Sequence, residues 1–182
     1  MEIYAVKING LDHPMGFDFE HLLCSWKVRN NKGKKQTRAK IQVAKDEKMS
    51  EVIWEKEGGL NSLGTVIEFS MKPYTRYYFQ ITVHSDVGEE SKSDVLYFET
   101  AKLEDPWTAK WLGVRGEDTH PEFRKNFSIK KEIKSARLYI CGLGIFETYL
   151  GGKKVGNDLL APFINDYEEH YQYCDRTAGY GK

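Results

Sequence analysis

The sequence predicts an all-β protein, and for its first 100 or so residues an antiparallel sandwich. Short runs alternate apolar and polar residues with the period of two that a pleated strand imposes. Gly, Asn and Asp punctuate those runs, and helical periodicity is almost missing from the 182 residues.

In chain order, residues 3–9 begin extended. Residues 22–28 place Leu22, Cys24, Trp26 and Val28 on one face, and Asn30 to Lys34 carry turn chemistry. Residues 39–44 alternate as a half-buried strand. Residues 52–54 form a short strand closed by Gly58 and Gly59, and residues 65–69 follow. The strongest run is 77–83, where Tyr77, Phe79, Ile81 and Val83 share a face and are of the types that favour a pleated surface. Asp86-Val87-Gly88 turns the chain, and residues 95–100 return as the last strand. Seven short strands in about 100 residues is the strand density of a sandwich.

Leu103-Glu104-Asp105-Pro106 reads as a linker, because proline drives the preceding residue out of helical conformation. Two domains are therefore expected, over 1–104 and 105–182. In the second, strands are expected over 121–127, 135–140 and 145–150. Gly142 and Gly144 turn the backbone between strands, and Gly151-Gly152 makes a tight hairpin turn.

Composition removes several function classes. Lys plus Arg and Asp plus Glu both total 27, and the balance holds in each half, with 15 basic and 16 acidic residues through Glu104 and 12 and 11 after it. Phosphate recognition needs a local cationic excess, so neither nucleic acid nor an anionic membrane is an expected partner. No apolar run approaches the about 20 residues of a spanning helix. The start, Met1 to Lys7, lacks a basic region followed by an apolar one, and Cys24, Cys141 and Cys174 are odd in number and far apart. Both features fit a cytoplasmic protein with free thiols.

Residues 1–104 resemble a fibronectin type III or immunoglobulin-like domain. The carriers are Trp26, the pattern Met71-x-Pro73-x-Thr75-x-Tyr77-x-Phe79-x-Ile81, and Gly88, Ser91, Phe98 and Thr100. Tyr77 is then the corner tyrosine, whose hydroxyl ties the loop to the backbone upstream. Residues 106–177 resemble the N-terminal β-sandwich of bacterial α-L-rhamnosidases of the inverting glycoside hydrolase family 78. The carriers are Trp107-x-Ala109-x-Trp111-Leu112, Pro121-x-Phe123-Arg124-Lys125-x-Phe127, the run from Ala136 to Leu150, and Gly152 to Gly156. Leu160-Ala161-Pro162, Asp166-Tyr167 and the segment from Tyr171 to Thr177 complete them. Gly151 stands where the family has Asn, and Cys174 and Arg176 stand where it has Tyr and Val. Arg176 there implies a strand that is not buried.

The resemblance implies a partial jelly-roll-like sandwich that needs strands beyond Thr177. It implies a parent enzyme that hydrolyses terminal α-L-rhamnose with inversion, using two carboxylates about 6.5–9.5 Å apart. In the family these lie in a downstream (α/α) barrel, so no catalytic residue carries over. The chain reads as a non-catalytic N-terminal fragment, inactive alone, whose second sandwich exposes an apolar face or an unpaired strand edge. That edge could also pair two copies.

The residues themselves offer few sites. Glu168-Glu169-His170, with Asp158 and Asp166 nearby, reads as a solvated loop, since a catalytic pair needs a pocket and split pKa values. His13, His21, His84, His120 and His170 are dispersed, so no metal and no cofactor is expected. Sugars stack their C–H faces on aromatic rings. Trp107, Trp111, Tyr167 and Tyr171 are the candidates for such contact, although core packing or interdomain contact is the commoner role of such residues. A free-standing two-domain carbohydrate-binding module is the alternative function.

Overall fold

The computed structural model describes residues 1–116, 120–133, 136–169 and 173–177. Every regular element among them is a β-strand. No helix there is long and apolar enough to cross a membrane. The chain divides into two compact units, Met1–Asp105 and Pro106–Lys182.

The first unit is a two-layer sandwich. One layer orders β1 (Glu2–Ile8), β3 (Leu22–Arg29) and β6 (Thr65–Ile67). The other orders β2 (Met15–Phe17), β9 (Leu96–Thr100), β7 (Arg76–Ser85), β4 (Gln36–Ala44) and β5 (Val52–Gly58), with β8 (Glu90–Lys92) also on β7. Pairing is antiparallel except between β2 and β9, which run parallel.

Register explains the core. Ala39, Ile41 and Val43 of β4 lie opposite Val83, Ile81 and Phe79 of β7. All six are buried, and they face Ile8, Leu22, Cys24, Trp26 and Ile67 of the other layer. The alternation expected of Leu22, Cys24 and Trp26 and of Tyr77 to Val83 is therefore the packing that closes the sandwich. The Trp26 indole N–H donates to Gln36 Oε1 at 3.0 Å, and the Gln36 amide donates to the Leu60 carbonyl at 2.7 Å. A buried ring thus keeps its one polar atom satisfied.

Tyr77 behaves as the corner tyrosine. Its hydroxyl accepts the Lys72 backbone N–H at 2.9 Å, and its ring meets Phe69 edge-on at 5.0 Å. Two short strands escape the sequence pattern. β2 is three residues with a glycine at its centre, and β8 is Glu-Ser-Lys. Both exist because a neighbouring strand, β9 for β2 and β7 for β8, offers a ladder. Buried Ser93 makes the switch from β8 to β9: its N–H donates to the Ile81 carbonyl at 2.8 Å and its Oγ accepts the Ile81 N–H at 3.0 Å.

The second unit is sparser. β10 (Arg137–Cys141) pairs antiparallel with β13 (Tyr173–Thr177), and β11 (Tyr149–Leu150) with β12 (Lys153–Lys154). Residues 137–140 of the strand expected over 135–140 pair in β10, and the closing motif pairs over 173–177, while residues 135, 171 and 172 lie outside the described residues. The strand expected over 121–127 does not: these residues are irregular and exposed, because alternation alone cannot hold a strand without a neighbour. Only the last two residues of the strand expected over 145–150 pair. The Gly151-Gly152 turn forms, with φ of 58° and 79° at its two residues. Two successive left-handed residues give the hairpin turn whose twist suits the strands. Asn tolerates the first of those positions, so Gly151 replaces the family's Asn without changing the turn.

Two outcomes test the first unit. Tyr77→Phe leaves the Lys72 amide without its acceptor and is expected to cost about 1 kcal/mol in urea unfolding. Burial pushes the Cys24 thiol up to about 12 from an ordinary 9.0. The unfolded thiol then ionises first, so stability is intact below about pH 9. It falls by about 1.4 kcal/mol per pH unit as pH climbs from there toward 12. Cys24→Val is expected to flatten that slope in unfolding measured at pH 8 to 11.

Candidate functional site

Three polar side chains of the second unit meet at the β11–β12 hairpin. Cross-strand register puts Tyr149 opposite Lys154. Glu147, two residues before Tyr149, reaches the same cluster. It pairs with the Lys154 ammonium and accepts the Tyr149 hydroxyl at 2.7 Å. These donors hold the Glu147 carboxyl below the usual range, Lys154 first, and Glu147 in turn raises Lys154. A general acid needs the opposite shift. Other carboxylates with displaced ionisation, Glu2, Asp46, Glu55 and Glu89, are also held low by donors.

The hollow beside Glu147 and Lys154 is lined by Ile140, Phe146, Asp158 and Cys174 among others, and has a volume of about 20 Å³. That is room for about one water molecule and too small for a sugar ring. In the first unit an open groove of about 330 Å³ lies among Lys45, Ile53, Phe69, Lys72 and Tyr77. There Glu51 pairs with Lys45.

The aromatic candidates have separate surroundings. Trp107 is 40% exposed and sets its ring edge-on to Tyr173 at 5.5 Å. Tyr173 in turn lies 6.2 Å from the Tyr139 ring. Trp111 is 59% exposed, so core packing does not describe it. Tyr167 is half-buried, and its hydroxyl accepts the Gly144 N–H at 2.9 Å, which fixes the turn between β10 and the hairpin. Its role is that of a brace. Tyr171 and His170 lie outside the described residues. Sequence reasoning passed over the Glu147, Tyr149 and Lys154 cluster. The signal was available, since a two-residue turn at Gly151-Gly152 forces Tyr149 and Lys154 opposite one another.

The acidic run is a surface turn. Glu168 N–H donates to Asp166 Oδ1 and Glu169 N–H to the Asp166 carbonyl, both at 3.1 Å, and Glu168 and Glu169 are exposed. Among the described residues, no group of three or more His, Cys, Asp or Glu is placed to hold a metal ion.

Residues 3–104 match the family of Rha78A-like, N-terminal immunoglobulin domains, and residues 131–176 match the α-L-rhamnosidase N-terminal domain. The chain belongs to the α-L-rhamnosidase family, as an N-terminal region of it. An α-L-rhamnosidase of Formosa agariphila is 28% identical over 96% of this chain and 22% of its own length. One from an Alteromonas species is 27% identical over 90% of this chain and 20% of its own. The solved structure of the Dictyoglumus thermophilum α-L-rhamnosidase superposes with a TM-score of 0.84 at 27% identity. It covers 97% of this chain and 23% of that one. The rhamnosidase region described here thus spans about a fifth of the length of the curated relatives it matches.

Gly142 is required by packing within this region. A Cβ there would lie 2.5 Å from Phe146 Cδ1. Gly142→Ala is expected to cost about 1–3 kcal/mol as the ring is displaced. Faster proteolysis of the second unit, with the first unit unchanged, would report it.

Proposed function

We propose that this chain is the non-catalytic N-terminal region of an α-L-rhamnosidase. The complete enzyme removes terminal α-L-rhamnose from glycosides with inversion, and this region braces the catalytic part. The observation that carries the reading is one of extent: nearly all of the chain superposes on a solved rhamnosidase, yet it accounts for only 23% of that protein. Side-chain chemistry supports it, since the displaced carboxylates among the described residues are held low and the hollow at the hairpin admits no sugar. Surface character supports it too. Leu112, Phe127, Leu143, Leu159 and Phe163 stand largely in solvent, an excess that a self-sufficient domain seldom carries.

A carbohydrate-binding role is the second reading. It is favoured by exposed Trp111.

The purified chain is expected to release no nitrophenol from para-nitrophenyl α-L-rhamnopyranoside, and an antibody to it to detect a protein several times larger than 21.1 kDa in source cells. Hydrolysis by the chain alone would overturn the reading. A band at its own mass, with calorimetric L-rhamnose binding lost in Trp111→Ala, would put the binding module in its place.

A further inference from the structure

We propose that the loop at residues 159–164 is the docking surface through which this region holds the remainder of an α-L-rhamnosidase polypeptide. The inference rests on the functional reading above.

Leu159, Leu160, Phe163 and Ile164 are between 76% and 81% exposed. Four large apolar side chains within six residues stand almost wholly in water, while the centre of the loop is held. Pro162 between them is buried, and the Ala161 carbonyl accepts the Phe146 N–H at 3.0 Å. The loop is therefore clamped at its middle, with its apolar side chains displayed on both sides. A surface already ordered in this way loses little conformational freedom on binding. Aliphatic and aromatic anchors of this kind supply the centre of an interface.

The occupant is further polypeptide of the same enzyme. The relatives supply the source. They align with 90% or more of this chain, yet the aligned part is 20–22% of their length, so about four-fifths of each is further polypeptide. Covalent linkage gives such a partner an effective concentration that no separate protein matches.

The test compares this chain alone with the same chain joined to the Dictyoglumus thermophilum enzyme, in place of the part of that enzyme it matches. Amide exchange over 159–164 is expected to be about tenfold slower or more in the joined protein. The double variant Leu159→Ser, Phe163→Ser is expected to lower the Tm of the joined protein. It is expected to leave the Tm of the chain alone unchanged, because these side chains are exposed there. Equal exchange in both proteins overturns the proposal. So does a concentration-dependent doubling of mass of the isolated chain that the double variant abolishes, which would make a second copy the occupant. Hydrolysis of para-nitrophenyl α-L-rhamnopyranoside separates the two readings. Activity with no effect of the double variant removes the docking surface and keeps the functional reading. Hydrolysis by the chain alone removes the functional reading, and the docking surface that rests on it.

Discussion

A strand with apolar side chains on one face needs a second layer, about 10 Å away, to take that face out of water. The two halves of this chain meet that requirement to different degrees. In the first, β3 presents Leu22, Cys24 and Trp26 to Tyr77, Phe79, Ile81 and Val83 of β7, and all seven are buried. Other features of the sandwich depend on that closure. Trp26 can be buried because Gln36 takes its N–H, and the burial that excludes water from Cys24 is what pushes its thiol upward. The corner bond from Lys72 to Tyr77 holds the loop entering β7, so the strand begins in register.

In the second half the same alternation has less to pack against. β10 and β13 form a two-stranded sheet, and every residue of β10 is only half-buried. Local devices hold the region together. Gly151-Gly152 reverses the chain, Glu147 bridges Tyr149 and Lys154, Tyr167 ties down Gly144, and Phe146 fills the space that Gly142 leaves open. These are polar and steric contacts of short reach. They order loops without burying a large apolar area, and the apolar loop at 159–164 follows from that imbalance.

The electrostatics of the hairpin favour an ionised carboxylate. Hydrolysis with inversion needs one carboxyl held protonated and another held ionised across a gap wide enough for water. Glu147 is surrounded by a lysine and a phenol, which favour its ionised form.

Alternation and turn chemistry in the sequence were enough to determine which residues of the first sandwich face inward and that Gly151-Gly152 reverses the chain, while the resemblance to a type III domain placed the corner tyrosine. Those features are local, or follow from a period of two repeated over a long strand, so they can be read one segment at a time. Tertiary structure decided the rest. β2 and β8 are too short to have a period and exist only because β9 and β7 offer them ladders. Residues 121–127 have the period but lack a paired neighbour, and remain irregular. Trp111 and Tyr167 read alike in sequence as aromatic candidates. One is more exposed than buried and the other braces a turn, because exposure and hydrogen bonding are set by what the rest of the chain brings alongside.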